Sequence, residues 1–118
     1  MGYRRFEDLE VWQKSKQLSI EIYKSFKDCR DWGFRDQLVR SALSVPSNIA
    51  EGYERGSNKE FIRLISIAKG SCGELRTQII IAGEMGIISK DSSNILTHEA
   101  EEISYMLSSL IKVRKSFS

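Results

Sequence analysis

The chain has one histidine, His98, and two cysteines, Cys29 and Cys72, as its strongest candidates for metal ligation or nucleophilic chemistry. A zinc site needs four convergent Cys, His or carboxylate ligands, usually arranged as closely spaced pairs. This sequence has no CxxC and no second histidine at ligand spacing. The residue three before His98 is Ile95, so the Glu-x-x-His pair of di-iron bundles is also missing. His98 is read as a solvated histidine, with Glu101 three residues on as a plausible ion-pair partner. Cys29 and Cys72 carry no nucleophile signature and fall on apolar stripes. Two reduced, buried thiols are therefore favoured over a disulfide between them. No GxGxxG, P-loop or GxSxG occurs. Gly70 and Gly73 follow no strand and sit within a helical pattern, where they are read as letting another helix approach.

General acid–base chemistry is the remaining catalytic route. Asn48, Glu51 and Glu74 are the polar residues that could form such a site, but no nucleophile, metal or base of suitable pKa accompanies them. The expectation is a non-enzyme without cofactor, metal or small-molecule substrate. The same residues belong to a longer polar set. Gln37, Arg40, Ser41, Ser44, Asn48 and Glu51 follow one another at helical steps, and Glu74 and Gln78 form a similar i, i+4 pair. This set is either a polar binding surface or, the favoured reading, hydrogen bonding within an interface or around Pro46.

Basic side chains are scattered. Arg4, Arg5, Lys14, Lys16, Lys24 and Lys27 lie early in the chain and Lys112, Arg114 and Lys115 late, and these are the candidate nucleic-acid contacts. Carboxylates are interleaved with them, and 18 Lys and Arg against 16 Asp and Glu leave a formal charge of only +2. That balance neither announces a nucleic-acid binder nor excludes one.

The elements that must position these residues are helical throughout. Phe61, Ile65, Ala68, Cys72, Leu75, Ile79, Ala82 and Gly86 recur at alternating steps of four and three, which puts one apolar or small stripe along a long helix. Leu96, Ala100, Ile103, Leu107 and Leu110 repeat the pattern, as do Val11, Ser15, Leu18, Ile22, Ser25 and Cys29, and Leu38, Ala42, Val45, Ile49 and Tyr53. No segment sustains a period of two. Glycines and caps set the boundaries: Trp32-Gly33-Phe34, then Gly56 with Ser57 or Asn58, then Gly86 with Ser89 or Asp91. The expectation is an all-α, antiparallel up-down-up-down four-helix bundle in one domain, with helices near 8–30, 35–55, 58–86 and 91–116. Pro46 falls inside the second helix and predicts a kink. Ser44, Ser47 and Asn48 are the candidates to satisfy the backbone carbonyl it frees.

Composition narrows the classes further. One proline and eight glycines in 118 residues argue against a turn-rich sandwich or barrel. No stretch approaches the ~18–20 apolar residues of a membrane span. The start, from Met1 to Asp8, has no apolar run of the signal-peptide kind, so the chain reads as cytoplasmic. Apolar residues exceed what the stripes require. Ile79, Ile80 and Ile81 cannot all face one seam; Trp12, Tyr23 and Phe26 widen the first helix, and Ile62, Met106 and Ile111 add to the excess. A second buried face is expected, with Trp12, Tyr23, Phe26, Ile80 and Ile81 as candidates for an oligomer interface. A merely wide core-facing stripe is the alternative.

Phe6-Glu7-Asp8-Leu9-Glu10-Val11-Trp12-Gln13, Ile22-Tyr23, Ser44-Val45-Pro46-Ser47-Asn48-Ile49-Ala50-Glu51-Gly52, Ile67-Ala68-Lys69-Gly70-Ser71, Glu74-Leu75, Gln78 and Gly86-Ile87-Ile88 together resemble the bacterial four-helix-bundle proteins encoded in 23S rRNA intervening sequences. The resemblance covers nearly the whole chain, and the string around Pro46 is its most specific part. It implies an antiparallel four-helix bundle assembling as a homopentameric ring. It also implies kinship with the accessory variability proteins of diversity-generating retroelements, basic pentamers that bind nucleic acid and a reverse transcriptase. The expected function is a non-enzymatic homo-oligomeric scaffold that binds RNA or a ribonucleoprotein. The alternative is a protein–protein adaptor with no nucleic-acid role.

Overall fold

The computed structural model describes residues 5–117. Among them the chain is all-α, as its periodicity predicts. A 3-10 turn over Phe6–Asp8 leads into α1 (Glu10–Ser25), α2 (Trp32–Glu54), α3 (Asn58–Glu84) and α4 (Lys90–Lys115). The described residues fill a rod of 47 × 21 × 20 Å. α3 packs along α2 on one side and α4 on the other, while α1 lies against α2 and, more sparingly, α4.

Local chemistry explains where the helices start. Ser57 Oγ accepts from the Glu60 amide at 3.1 Å, and Ser89 Oγ from the Ser92 amide at 3.0 Å, so Ser57 and Ser89 are the caps of α3 and α4. Gly56 and Gly86, with φ of +79° and +75°, turn the chain between α2 and α3 and between α3 and α4. The first boundary differs from expectation. Asp31 Oδ1 accepts from the Phe34 amide at 3.2 Å, so the cap precedes Trp32, and Trp32-Gly33-Phe34 opens α2 instead of separating two helices. α1 ends at Ser25, five residues before the expected Arg30, and Phe26–Asp31 forms the link.

The core joins the four stripes. Leu18 and Ile22 from α1, Leu38, Ala42, Val45 and Ile49 from α2, Ile65 to Ala82 from α3, and Leu96 to Leu107 from α4 form one buried cluster. Phe26 is 1% exposed and belongs to this core; it offers no surface to another copy, which corrects the interface expectation. Trp12 packs against the core and meets Phe6 edge-on at 5.2 Å, and Ile62, Met106 and Ile111 are also half-buried within the protomer. Cys72 is buried but Cys29 is only half-buried in the link after α1, so one of the two expected core thiols lies outside the core. Both are free thiols.

Close helix approach occurs at glycines other than the two expected. A Cβ on Gly83 would stand 2.5 Å from Ser93 Cβ and Oγ, and one on Gly52 would stand 3.1 Å from Leu64 Cβ. At Gly70 and Gly73 a Cβ would meet nothing within 4 Å, so these two face open space on the outside of α3.

Candidate functional site

The polar set is divided by the structure. α2 and α3 bring Gln37, Arg40, Ser41, Ser44, Ser71, Glu74 and Gln78 around a shallow groove of about 260 Å³. Within it Ser41 Oγ donates to Glu74 Oε1 at 3.0 Å, and the Ser44 and Ser71 hydroxyls are 2.8 Å apart. Asn48 Nδ2 donates to the Ser44 carbonyl at 2.8 Å and its hydroxyl at 2.9 Å. Gln78 is 8% exposed, and its Oε1 has no hydrogen-bond partner among the described residues. The Ser41–Glu74 and Ser44–Ser71 bonds tie α2 to α3. Glu51 is not part of them: it faces solvent and accepts from Arg55 at 2.6 Å. The trio Asn48, Glu51 and Glu74 is therefore not assembled into one site, and neither a histidine nor a cysteine lines the groove.

Pro46 lies buried inside α2, and the carbonyl it deprives of a helical donor is that of Ala42. The replacement donor is Ser19 on α1, whose hydroxyl donates to Ala42 O at 3.0 Å and also to Ser15 O at 3.0 Å. The expected donors Ser44, Ser47 and Asn48 do not reach this carbonyl; Asn48 serves Ser44 instead. Ser19 has no local signal in the sequence, because the contact spans 23 residues.

The remaining reactive groups are inert or solvated. Burial pushes the Cys72 thiol up to about 11, and it donates to the Ala100 carbonyl at 3.1 Å. Such a thiol is a poor nucleophile. His98 is exposed and lies 4.0 Å from Glu102; Glu101, its expected partner, instead lies 3.9 Å from Arg76 on α3. Among the described residues no group of three His, Cys, Asp or Glu side chains could hold a metal ion, and no helix is long and apolar enough to cross a membrane.

The basic candidates do not form one patch. Arg4 lies outside the described residues. Arg5 is 3.7 Å from Asp8, and Lys14 is 3.4 Å from Glu102. Lys16 sits 5.4 Å over the Trp12 ring. Lys24, Lys27, Lys112 and Lys115 are exposed. Arg114 is committed within the protomer. Its guanidinium donates to Asn58 Oδ1 at 3.0 Å and stacks 4.2 Å over Phe61, while Asn58 Nδ2 donates to the Arg114 carbonyl at 2.8 Å. Leu9 and Val113 line the same cavities, so Arg5, Lys112 and Lys115 gather at one end of the rod. Lys24 and Lys27 lie at the other end of α1, about 24 Å away at ~1.5 Å per residue.

Two faces beside α1 stand out. Between α1 and α2 lies an apolar groove of about 310 Å³, walled by Ile20, Tyr23, Val39 and Leu43, floored by Pro46 and Ser19, and rimmed by Lys16 and Lys24. Ile20, Tyr23 and Leu43 are 40%, 53% and 51% exposed. Arg35 lies 5.6 Å over the Tyr23 ring. On the other side of α1, Glu21 and Glu99 face each other. Burial and the neighbouring Glu21 carboxylate lift the Glu99 carboxyl above its ordinary range. Ile95, one turn before Glu99, is 60% exposed. Ile80 and Ile81, expected at an interface, are exposed on α3 with Ile67. Ile20, Val39, Leu43 and Ile95 escaped the sequence reading; their signal was apolar side chains placed between polar ones, off the main stripes.

A 23S rRNA-intervening sequence protein family model matches residues 7–109. None of the curated proteins matches. Among solved structures, a protein of unknown function from the S23 ribosomal protein family of Bacteroides thetaiotaomicron is similar, with a TM-score of 0.81 and 24% identity over 86% of this chain and 98% of that one. At that identity the likeness speaks for the fold alone. The family match runs from the turn at Phe6–Asp8 to the last turns of α4 and takes in both faces beside α1 and the α2–α3 polar groove, and on it the chain belongs to the 23S rRNA-intervening sequence protein family.

Proposed function

We propose that this protein is a non-enzymatic, self-associating helical scaffold that binds RNA through its unpaired basic side chains. The observation that carries this reading is the large apolar surface left outside a complete core. Ile20, Tyr23, Leu43, Ile67, Ile80, Ile81 and Ile95 are all at least 40% exposed, although the buried cluster closes without them. Monomeric proteins seldom leave so much aliphatic surface wet. The protomer is an antiparallel up-down-up-down bundle kinked at Pro46. Short links support that order, as do the pairings of Ser44 with Ser71 and of Asn58 with Arg114. The assembly is the five-membered ring that the sequence resemblance implies, working in the cytoplasm. Kinship with the retroelement accessory proteins belongs to the same reading.

Repetition around a ring is what makes the basic side chains effective. A protomer carries only +2, but Lys27, Lys112 and Lys115 would recur at its rims, where like charges reinforce one another. The test is light scattering on nuclease-treated protein, followed by binding of structured RNA across a salt series. A mass several times 13.5 kDa and an affinity that falls steeply with salt are expected. A strict monomer overturns the assembly, and no binding at low salt overturns the RNA role.

A further inference from the structure

The two faces beside α1 are complementary to each other. The α1/α2 groove is apolar and bordered by Lys16 and Lys24, neither of which forms an ion pair with any described residue. Across α1, the α4 edge presents Ile95, Glu99 and Glu102 at steps of four and three, with Glu21 of α1 beside Glu99. This edge joins an exposed aliphatic side chain to three carboxylates, and among the described residues the basic side chains within 4 Å of them are Lys14, 3.4 Å from Glu102, and His98, 4.0 Å from the same carboxylate. Each face carries an apolar surface and a charge imbalance that the other would cancel.

We infer that the α1/α2 groove of one copy of this chain is occupied by the α4 edge of a second copy, Ile95 entering the apolar groove while Lys16 and Lys24 meet Glu99 and Glu102. This rests on the assembly reading above and assigns its mating surfaces. Joining two different faces makes the contact heterologous, so each copy keeps one free groove and one free edge until the chain of contacts closes. In a four-helix bundle the two sides that share one corner helix lie roughly a quarter turn apart. Successive copies then turn by a similar angle, which favours a small closed ring over a filament or a two-fold dimer. Lys16 and Lys24 become interface residues in this arrangement and are withdrawn from the RNA-binding set.

Charge exchange tests it. Nuclease-treated wild-type protein, the double variant K16E/K24E, the double variant E99K/E102K and the fourfold variant are compared by light scattering at one concentration, with far-UV circular dichroism as the check on folding. Lys16, Lys24 and Glu102 are exposed and Glu99 is half-buried beside the like-charged Glu21, so helicity should be unchanged. Each double variant should fall from the wild-type mass to about that of the single chain, and the fourfold variant should regain the assembled mass. An assembled wild type whose mass the double variants leave unchanged overturns this inference while leaving assembly intact. Dissociation without recovery in the fourfold variant overturns α4 as the occupant. A monomeric wild type removes the assembly reading itself.

Discussion

The seam that α3 makes with α2 and α4 and the face that α1 shares with α2 use similar residue types to opposite ends. In the seam, small residues bring backbones together: Gly83 meets Ser93 with no room for a methyl group, Gly52 meets Leu64 with little, and Leu75 and Ile79 are fully enclosed. On the α1/α2 face, Leu43, Tyr23 and Ile20 are comparably apolar yet remain open around a groove. Apolar composition alone does not say whether a side chain stabilises the protomer. The helix that covers it decides, and among the described residues none covers the outer face.

The sharpest way to break that contrast is to remove the same atoms on both sides. Leu75→Ala should cost about 2–5 kcal/mol in chemical denaturation, because a fully buried leucine leaves a cavity. Leu43→Ala should change protomer stability by no more than about 0.5 kcal/mol. A large loss for Leu43→Ala in dissociated protein would show that the outer face is part of the core after all. Glycines give the next largest effect. Gly83→Ala should destabilise by about 1–3 kcal/mol through overpacking against Ser93, whereas Gly73→Ala, facing open space within α3, should stabilise by roughly 0.5–1 kcal/mol.

Ser19 and Pro46 connect the two regions, and a double-mutant cycle measures how. Ser19→Ala leaves the buried Ala42 carbonyl without its hydroxyl donor and should cost about 1–3 kcal/mol. In a Pro46→Ala background the helical amide returns to that carbonyl, so the cost of Ser19→Ala should shrink. Equal costs in both backgrounds would mean that Ser19 acts only through packing. The smallest effect concerns the carboxylates. Burial, and after it the facing Glu21 carboxylate, raises the Glu99 carboxyl above its unfolded value, so the charged form of Glu99 weakens the fold at neutral pH. That penalty is relieved as pH falls through the raised folded value. In dissociated protein, Glu99→Gln should therefore raise the melting temperature slightly at pH 7, and the gain should fade on acidification.

Much of the fold was legible because helical burial leaves a local trace. Leu38, Ala42, Val45 and Ile49 are buried as their spacing predicts, and of the paired cap candidates Ser57 or Asn58 and Ser89 or Asp91 the structure uses the serines. The first boundary misled, because Gly33 reads as a stop whereas the Asp31 side chain makes it a start. The candidate sites were less legible. Gln37, Arg40, Ser44, Glu74 and Gln78 do converge, but Glu51, one turn from Asn48 on the same helix, turns outward to Arg55. Arg114 reads as a free cation and is instead clamped by Asn58 and Phe61, 56 and 53 positions earlier.

By itself the sequence determined that this chain is helical and where its apolar stripes run, and it left open whether the apolar residues off those stripes cover a second face or only widen the core-facing one. Periodicity and capping are properties of neighbours within a few residues, so they survive in one dimension. Only the tertiary structure decided which of the surplus residues join the core, as Phe26 does, and which stay outside, as Leu43 does. It alone supplied Ser19 to the carbonyl that Pro46 releases, and it alone set a lysine-rimmed groove and a carboxylate edge on the two sides of α1. Those outcomes depend on which helix lies next to which, and the spacing of residues along one helix contains no record of its neighbour.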